Sequence, residues 1–351
     1  MGISRFIYWM KKNLFSGPLD TMLTLCGVWL IFNLLPPLFS WGVLEADFSG
    51  TSRQDCLGNG ACWVFIKVRF NQFIYGLYPS TELWRPNIAL ILSALWLGFM
   101  AWPRFKWRSK VAFLGIFFGP VLIYRLLYDG FGFYPVVDTP EWGGLMLTFI
   151  ISGVGIALSL PIGVLLALGR RSYLPVIKIF CVLFIELWRG VPLITVLFMA
   201  SVMLPLFLPD GTHLDKLLRC LVGVTFFSSA YMAEVVRGGL QAVGKGQEEA
   251  AYSLGLGYWQ TVFFVTVPQA IRLVIPGIMN SFIALFKDTS LVVIVGMFDL
   301  LGMVKAAFTN KEWSGFALEG YLFAGLVFWF FCYLMSKFSA YVEIRLNAGG
   351  R

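Results

Sequence analysis

Two pairs of ionisable side chains fall inside long apolar stretches: Glu186 with Arg189, and the adjacent Lys287 and Asp288. A charge at the centre of a bilayer costs about 2.5–3.5 kcal/mol on insertion scales, so such groups face a cavity or pair with one another. Opposite charges beside a helix break suit a zwitterion, whose carboxylate and ammonium need partners of both signs. That chemistry is recognition without bond making. The structural alternative is two self-neutralised pairs, Glu186–Arg189 and Lys287–Asp288, that fix helix packing; the residues alone leave both readings open. Bond-making chemistry has less support. The one histidine, His213, leaves little room for His-based catalysis, and no metal-ligand spacing or nucleophile–base pair stands out. Gly239 to Gly246 nearly matches a phosphate loop, but Gly246 follows Lys245 where a magnesium-binding Ser or Thr is required, and an apolar helix precedes it instead of a strand. Any ATP that powers the protein is therefore expected on another chain.

The elements that position these charges are set by lipid. Of 351 residues, 58% are hydrophobic and 13% charged, against about 45–50% and about 25% in ordinary soluble domains. Mean hydropathy is +0.78. A spanning helix needs about 20 mostly apolar residues, and the chain offers eight such runs, at roughly 21–42, 84–102, 111–127, 143–168, 174–208, 217–240, 271–303 and 318–340. The fifth and seventh are too long for one straight helix and are interrupted by polar residues or proline. Such breaks are tolerated at membrane depth where protein or a water-filled cavity satisfies the freed backbone groups, as in the discontinuous helices of transporters.

The net charge of +8 could point to nucleic acid, but its distribution fits topology better. Arg5, Lys11 and Lys12 precede the first run; Arg104, Lys106, Arg108 and Lys110 crowd the second link; Arg170 and Arg171 follow the fourth run, and Arg237 and Lys245 the sixth. These fall on one side of alternating spans, which the positive-inside rule makes cytoplasmic. Both termini are expected inside. Some 20 polar or mixed residues precede the first run with no A-x-A-like site after it, so it reads as an uncleaved span.

Residues 43–83 form the largest outer loop. Its Cys56 and Cys62 leave a disulfide and two free thiols open, and an oxidising location allows the disulfide. Ile66, Phe70, Phe73, Ile74 and Leu77 recur at helical spacing opposite Lys67, Arg69, Asn71 and Gln72, a helix lying either on the membrane surface or on protein. Gly155, Ser159, Gly163 and Ala167, each four residues apart, line one face of the fourth run. That face either packs inside the bundle or meets another subunit.

The longest inner link, 244–269, carries the most specific pattern. Glu249-Ala250-Ala251 is followed after three residues by Gly255, then after nine by Val265-Thr266-Val267-Pro268. Ala250, Ala251, Leu254 and Tyr258 can share one face of a short helix that Gly255 and Gly257 break. Small residues on such a helix suit a groove in another protein; a hairpin resting on the membrane is the alternative.

This arrangement resembles the EAA loop of ABC importer permeases, with valines where isoleucine and leucine are usual. Glu186-Leu187-Trp188-Arg189-Gly190-Val191-Pro192 resembles the E-x-x-R-G-x-P stretch of polar amino-acid permeases. Ser228 to Gly238, with Tyr231, Glu234 and Arg237, resembles the helix before their EAA loop. Asn280-Ser281-Phe282 and Lys287-Asp288-Thr289-Ser290-Leu291 resemble their N-x-F and K-D-T-S-L elements. The added N-terminal spans with the C-x5-C loop are similar to the longer permease of general L-amino-acid importers of the glutamate/glutamine/aspartate/asparagine type.

The resemblance implies an all-α integral membrane protein with a type I importer core of five helices (141–351) and a three-helix N-terminal extension (1–140). It implies a transport subunit of a bacterial inner membrane, with ATP and magnesium on a dimeric partner ATPase and no cofactor here. A second related permease and a periplasmic amino-acid-binding protein complete the expected set, with no nucleic acid. Glu249, Ala250, Ala251, Leu254, Gly255 and Pro268 are the expected ATPase-coupling residues. Glu186, Arg189, Tyr231, Glu234, Asn280, Lys287, Asp288, Thr289 and Ser290 are the substrate-pathway candidates. Competing classes are an ion-gradient-driven transporter, which leaves the patterned link unexplained, a membrane-embedded enzyme and a purely structural assembly subunit.

Overall fold

The computed structural model describes residues 3–56, 58–102, 107–207, 209 and 214–348; Arg104, Lys106 and His213 lie outside them. Among the described residues the chain is helical, with isolated bridges and no strand. Seven helices are long and apolar enough to span a membrane, and an eighth span arises if the bent pair Pro175–Gly190 and Leu193–Phe207 is one. The chain divides into two compact units, Met1–Arg69 with Phe308–Gly320, and Phe70–Ala307 with Tyr321–Arg351.

The first unit opens with a short helix α1 (Ile3–Asn13), then the span helix α2 (Pro18–Phe39), which has no buried residue. A lone helix with an apolar surface all round belongs in lipid. Beyond it, the sulfurs of Cys56 and Cys62 are bonded. The carboxylate of Asp55 accepts from the backbone N–H groups of Thr51 and Ser52 at 2.8 and 2.9 Å, which holds its pKa below the ordinary value. The next helix, α3 (Trp63–Tyr75), starts in this unit. Phe65 is fully buried, with Trp313 and Phe316 at ring-centroid distances of 5.4 and 6.3 Å. Of the apolar residues read at helical spacing, Ile66 and Phe73 are buried, whereas Phe70 and Leu77 remain exposed.

The second unit carries the remaining spans. Helices α4 (Trp84–Ala101) and α5 (Arg108–Tyr128) form a hairpin, joined where the Trp96 indole N–H donates to the Val111 carbonyl at 3.1 Å. Near its outer end the Tyr78 hydroxyl donates to the Leu127 carbonyl at 2.7 Å, and burial raises the Tyr78 pKa to about 12. The centre of the unit is the pair α6 (Gly144–Arg170) and α9 (Lys216–Ala242). A Cβ added at Gly155 would lie 3.3 Å from Val224, and one at Gly163 would lie 2.7 Å from the Cβ of Met232 and 3.1 Å from the Ala233 nitrogen. Residue numbers rise together along both helices, so they run parallel. The small-residue stripe of Gly155, Ser159, Gly163 and Ala167 is buried in this contact and packs within the bundle.

Between these helices the chain returns through α7 (Pro175–Gly190) and α8 (Leu193–Phe198), bent by 104°. Val191 is extended, as the residue before a proline is driven to be, and Pro192 starts the second segment. After α9 come α10 (Lys245–Ser253), the single turn α11 (Tyr258–Gln260), α12 (Val267–Leu273) and α13 (Ile275–Asp288). At Thr289 the helix tightens into a 3₁₀ segment that ends at left-handed Gly296. Helix α14 (Leu300–Thr309) is short, and α15 (Ala317–Ala348) is the last span. The seventh span is thus Ile275–Val295, shorter than hydropathy suggests, because the helix breaks at Val274 and at left-handed Gly296.

Candidate functional site

Four charged side chains from α6, α7 and α9 gather around Glu234. One of its carboxylate oxygens accepts from Arg170 at 2.7 Å and lies 3.8 Å from Arg189; the other accepts two bonds from Arg237, at 2.9 and 2.7 Å. Arg170 also donates to Glu186 at 3.0 Å. Three guanidiniums against two carboxylates leave one positive charge in excess. The Glu234 side chain is 17% exposed and that of Glu186 54%, so the hub has a closed centre and an open edge. The Arg189 guanidinium lies over the exposed Tyr231 ring, 5.7 Å from its centroid.

This wiring replaces the self-neutralised pair Glu186–Arg189. Glu186 turns to the end of α6 and Arg189 to α9, because the bend at Val191–Pro192 ends α7 beside both. Arg170, assigned from sequence to topology alone, and Arg237, named from sequence in the resemblance but not among the pathway candidates, are both ion-pair neighbours of Glu234. A signal was available: Glu-x-x-Arg-Gly occurs twice, at Glu186–Gly190 and Glu234–Gly238, and the two copies meet in space.

The second set of candidates lies on α13. Pro276, Asn280, Ala284 and Lys287 are exposed at helical spacing, and they form a stripe with two polar members inside a span. Among the described residues no ion pair joins Lys287 to Asp288, and Asp288 is half-buried. Thr289 is buried and its hydroxyl donates to the Phe286 carbonyl at 2.8 Å; the Ser290 hydroxyl donates to the Lys287 carbonyl at 2.9 Å. These two hydroxyls bind the turn where α13 tightens, and Lys287 and Asn280 alone of this group are exposed. The two candidate sets are separate clusters.

On the 244–269 link, α10 is pinned from one side. Glu248 lies 3.7 Å from Arg171 and accepts from Thr266 at 3.4 Å, while Gln269 donates to Gln247 at 3.1 Å. Glu249, Ala250 and Leu254 face outward, and Leu254 is 83% exposed. Ala251 is buried. The outward face is therefore Glu249, Ala250, Leu254 and Tyr258, and Ala251 supplies the close contact beneath. Gly255 reverses the chain at φ +79°, a left-handed conformation that side chains disfavour.

Comparison with known proteins places this geometry. A family model described as binding-protein-dependent transport system inner membrane component matches residues 159–348. The chain is 54% identical over 346 residues to the inner membrane amino-acid ABC transporter permease protein YhdY of Escherichia coli (strain K12), covering 99% of this chain and 94% of that one. It is 37% identical over 415 residues to the glutamate/glutamine/aspartate/asparagine transport system permease protein BztC of Rhodobacter capsulatus, covering 98% and 94%. The crystal structure of an amino acid ABC transporter with histidines matches with a TM-score of 0.51 at 29% identity, over 57% of this chain and 92% of that one.

Proposed function

The chain belongs to the family of binding-protein-dependent transport system inner membrane components, and from that premise we propose that it is the permease through which an ATP-driven importer moves polar L-amino acids. As a family member it is a membrane transport subunit and not an enzyme; a separate ATPase and a binding protein complete such systems. Membership displaces the ion-gradient-driven reading.

The observation that carries the mechanism is the inner link. Helix α10 is tied by Glu248 and Gln247 to the end of α6 and the start of α12, while Glu249, Ala250 and Leu254 project. A partner gripping the projecting face would pull on α6 and α12 through those ties. ATP with magnesium, held by a dimeric ATPase, would close that partner and move α10, rocking α6 and α9 as one body. No cofactor sits on this chain in the scheme.

The pathway would run past the two polar clusters. A charge exposed within a span is unfavourable toward lipid, which supports a second, related permease or an aqueous path opposite Asn280 and Lys287. The Glu234 hub, with its excess positive charge and the open Tyr231 edge, suits a carboxylate-bearing solute. The name of BztC supports glutamate, glutamine, aspartate and asparagine as the substrate class. A periplasmic binding protein would deliver the solute, and both termini would be cytoplasmic, as the basic links favour.

Co-purification from the native membrane tests the assembly: an ATPase, a second permease and no other catalytic chain are expected. Amino-acid uptake in vesicles energised without ATP would overturn the proposal.

A further inference from the structure

Helix α1 separates its residues by kind. At 3.6 residues per turn, Phe6, Ile7, Trp9 and Met10 fall within an arc of about 160°, and Arg5, Tyr8, Lys11 and Lys12 occupy the opposite arc. The apolar face is uncovered: Phe6, Ile7 and Trp9 are 54%, 58% and 51% exposed. Neither Arg5, Lys11 nor Lys12 forms an ion pair with a described residue.

The position of α1 follows from what comes next. Only Leu14–Gly17 separate it from α2, and the joint is tied: the Leu14 N–H donates to the Met10 carbonyl at 2.8 Å, and the Thr24 hydroxyl donates to the Leu14 carbonyl at 2.7 Å. The Ser16 hydroxyl donates to the Asp20 carboxylate. Helix α2 is a span, so its Pro18 end lies at a membrane surface and holds α1 at headgroup depth. There an apolar face enters the acyl boundary while flanking basic side chains extend to the phosphates. Anionic headgroups match the three unpaired cations.

We propose that α1 lies in the plane of the membrane, with Phe6, Ile7, Trp9 and Met10 in the acyl boundary and Arg5, Lys11 and Lys12 on anionic phospholipid headgroups. The proposal rests on α2 being a span and not on the transport reading. A covering protein is the competing occupant, and the test separates the two.

The full-length chain, with Cys26, Cys181, Cys220 and Cys332 replaced by alanine, is labelled with a fluorophore at Ile7→Cys or Tyr8→Cys. It is placed in nanodiscs of phosphatidylcholine, alone or mixed with phosphatidylglycerol. Acrylamide should quench the Ile7 label about threefold less than the Tyr8 label, as burial in the acyl boundary requires. A quencher carried on the lipid acyl chain should reach Ile7 and not Tyr8. Phosphatidylglycerol should strengthen both effects, and the double variant Lys11→Glu/Lys12→Glu, whose apolar face is intact, should lose that response. Equal acrylamide quenching at the two sites would overturn the proposal. So would an Ile7 label shielded from acrylamide yet untouched by the acyl-chain quencher, since protein would then cover it. A response indifferent to phosphatidylglycerol would overturn the headgroup assignment.

Discussion

Arg170, the last residue of α6, donates to Glu234 on α9 at 2.7 Å, and this one bond makes the parallel helices share a charge hub. Glu234 forms ion pairs with three arginines, whereas among the described residues Glu186 forms an ion pair with Arg170 alone. Glu234→Gln keeps the volume and leaves the guanidiniums without their common partner. With the site partly open to solvent, about 1–3 kcal/mol of destabilisation is expected, against roughly 0.5 kcal/mol for Glu186→Gln. Thermal unfolding of the detergent-solubilised chain measures both; equal midpoints for the two variants would refute the hub.

The α6–α9 contact predicts a sharp contrast between glycines of one helix. Gly163→Val places its Cβ against the Cβ of Met232 and the backbone of Ala233, and overpacking of this kind costs about 1–3 kcal/mol. At Gly153 an added Cβ meets nothing within 4 Å, so Gly153→Ala should be neutral or mildly stabilising by helix propensity. Folded yield after solubilisation distinguishes them.

The spans were legible because lipid imposes one rule, a long apolar run, and the chain obeys it locally. The bend of the fifth was legible too, since Pro192 acts on its own neighbour. The charge hub was not. Arg170 has the same composition signal as topology charges such as Lys110, and only the packing of α6 on α9 brings it to Glu234. Ala251 was assigned to the outer face for a related reason: small residues mark close approach without saying to which side. Helix α1 was hidden by its balance of apolar and basic residues, which average to nothing in a hydropathy sum and separate only by angle.

The loop at 43–83 carries a pH dependence of fixed sign. The Asp55 carboxylate is held below its ordinary 3.8 by two backbone N–H groups. A lowered folded pKa means that the cap contributes fully above 3.8 and fades as the pH falls through the lowered value. Asp55→Ala should therefore speed proteolysis after Arg53 at neutral pH, and the difference from the unaltered chain should vanish only in strong acid.

Lys287 offers a test of the pathway that separates transport from folding. Its ammonium is exposed within the span Ile275–Val295 without an ion-pair partner among the described residues. Lys287→Met removes a charge that is unfavourable in lipid, so insertion and yield should hold or improve. Uptake should nevertheless fall about tenfold or more if the charge meets solute or shapes the path. Unimpaired uptake would remove Lys287 from the pathway.

Glu248 and Glu249, adjacent in sequence, are predicted to fail in opposite ways. Glu248 holds α10 to Arg171 and Thr266, whereas Glu249 projects and lacks an ion-pair partner among the described residues. Glu248→Ala should loosen the link itself, seen as faster hydrogen exchange across α10 in the isolated chain. Glu249→Lys should leave that exchange unchanged, because no described residue bonds to the carboxylate. Its effect should appear only in the assembled transporter, as ATP hydrolysis that no longer responds to solute-loaded binding protein. Gly255→Leu should combine both phenotypes, since φ +79° strains a branched side chain by about 1–3 kcal/mol and the turn sets the angle at which the outer face meets its partner. Should Glu249→Lys instead disturb exchange in the isolated chain, the outward face would be structural and the docking surface would have to lie elsewhere.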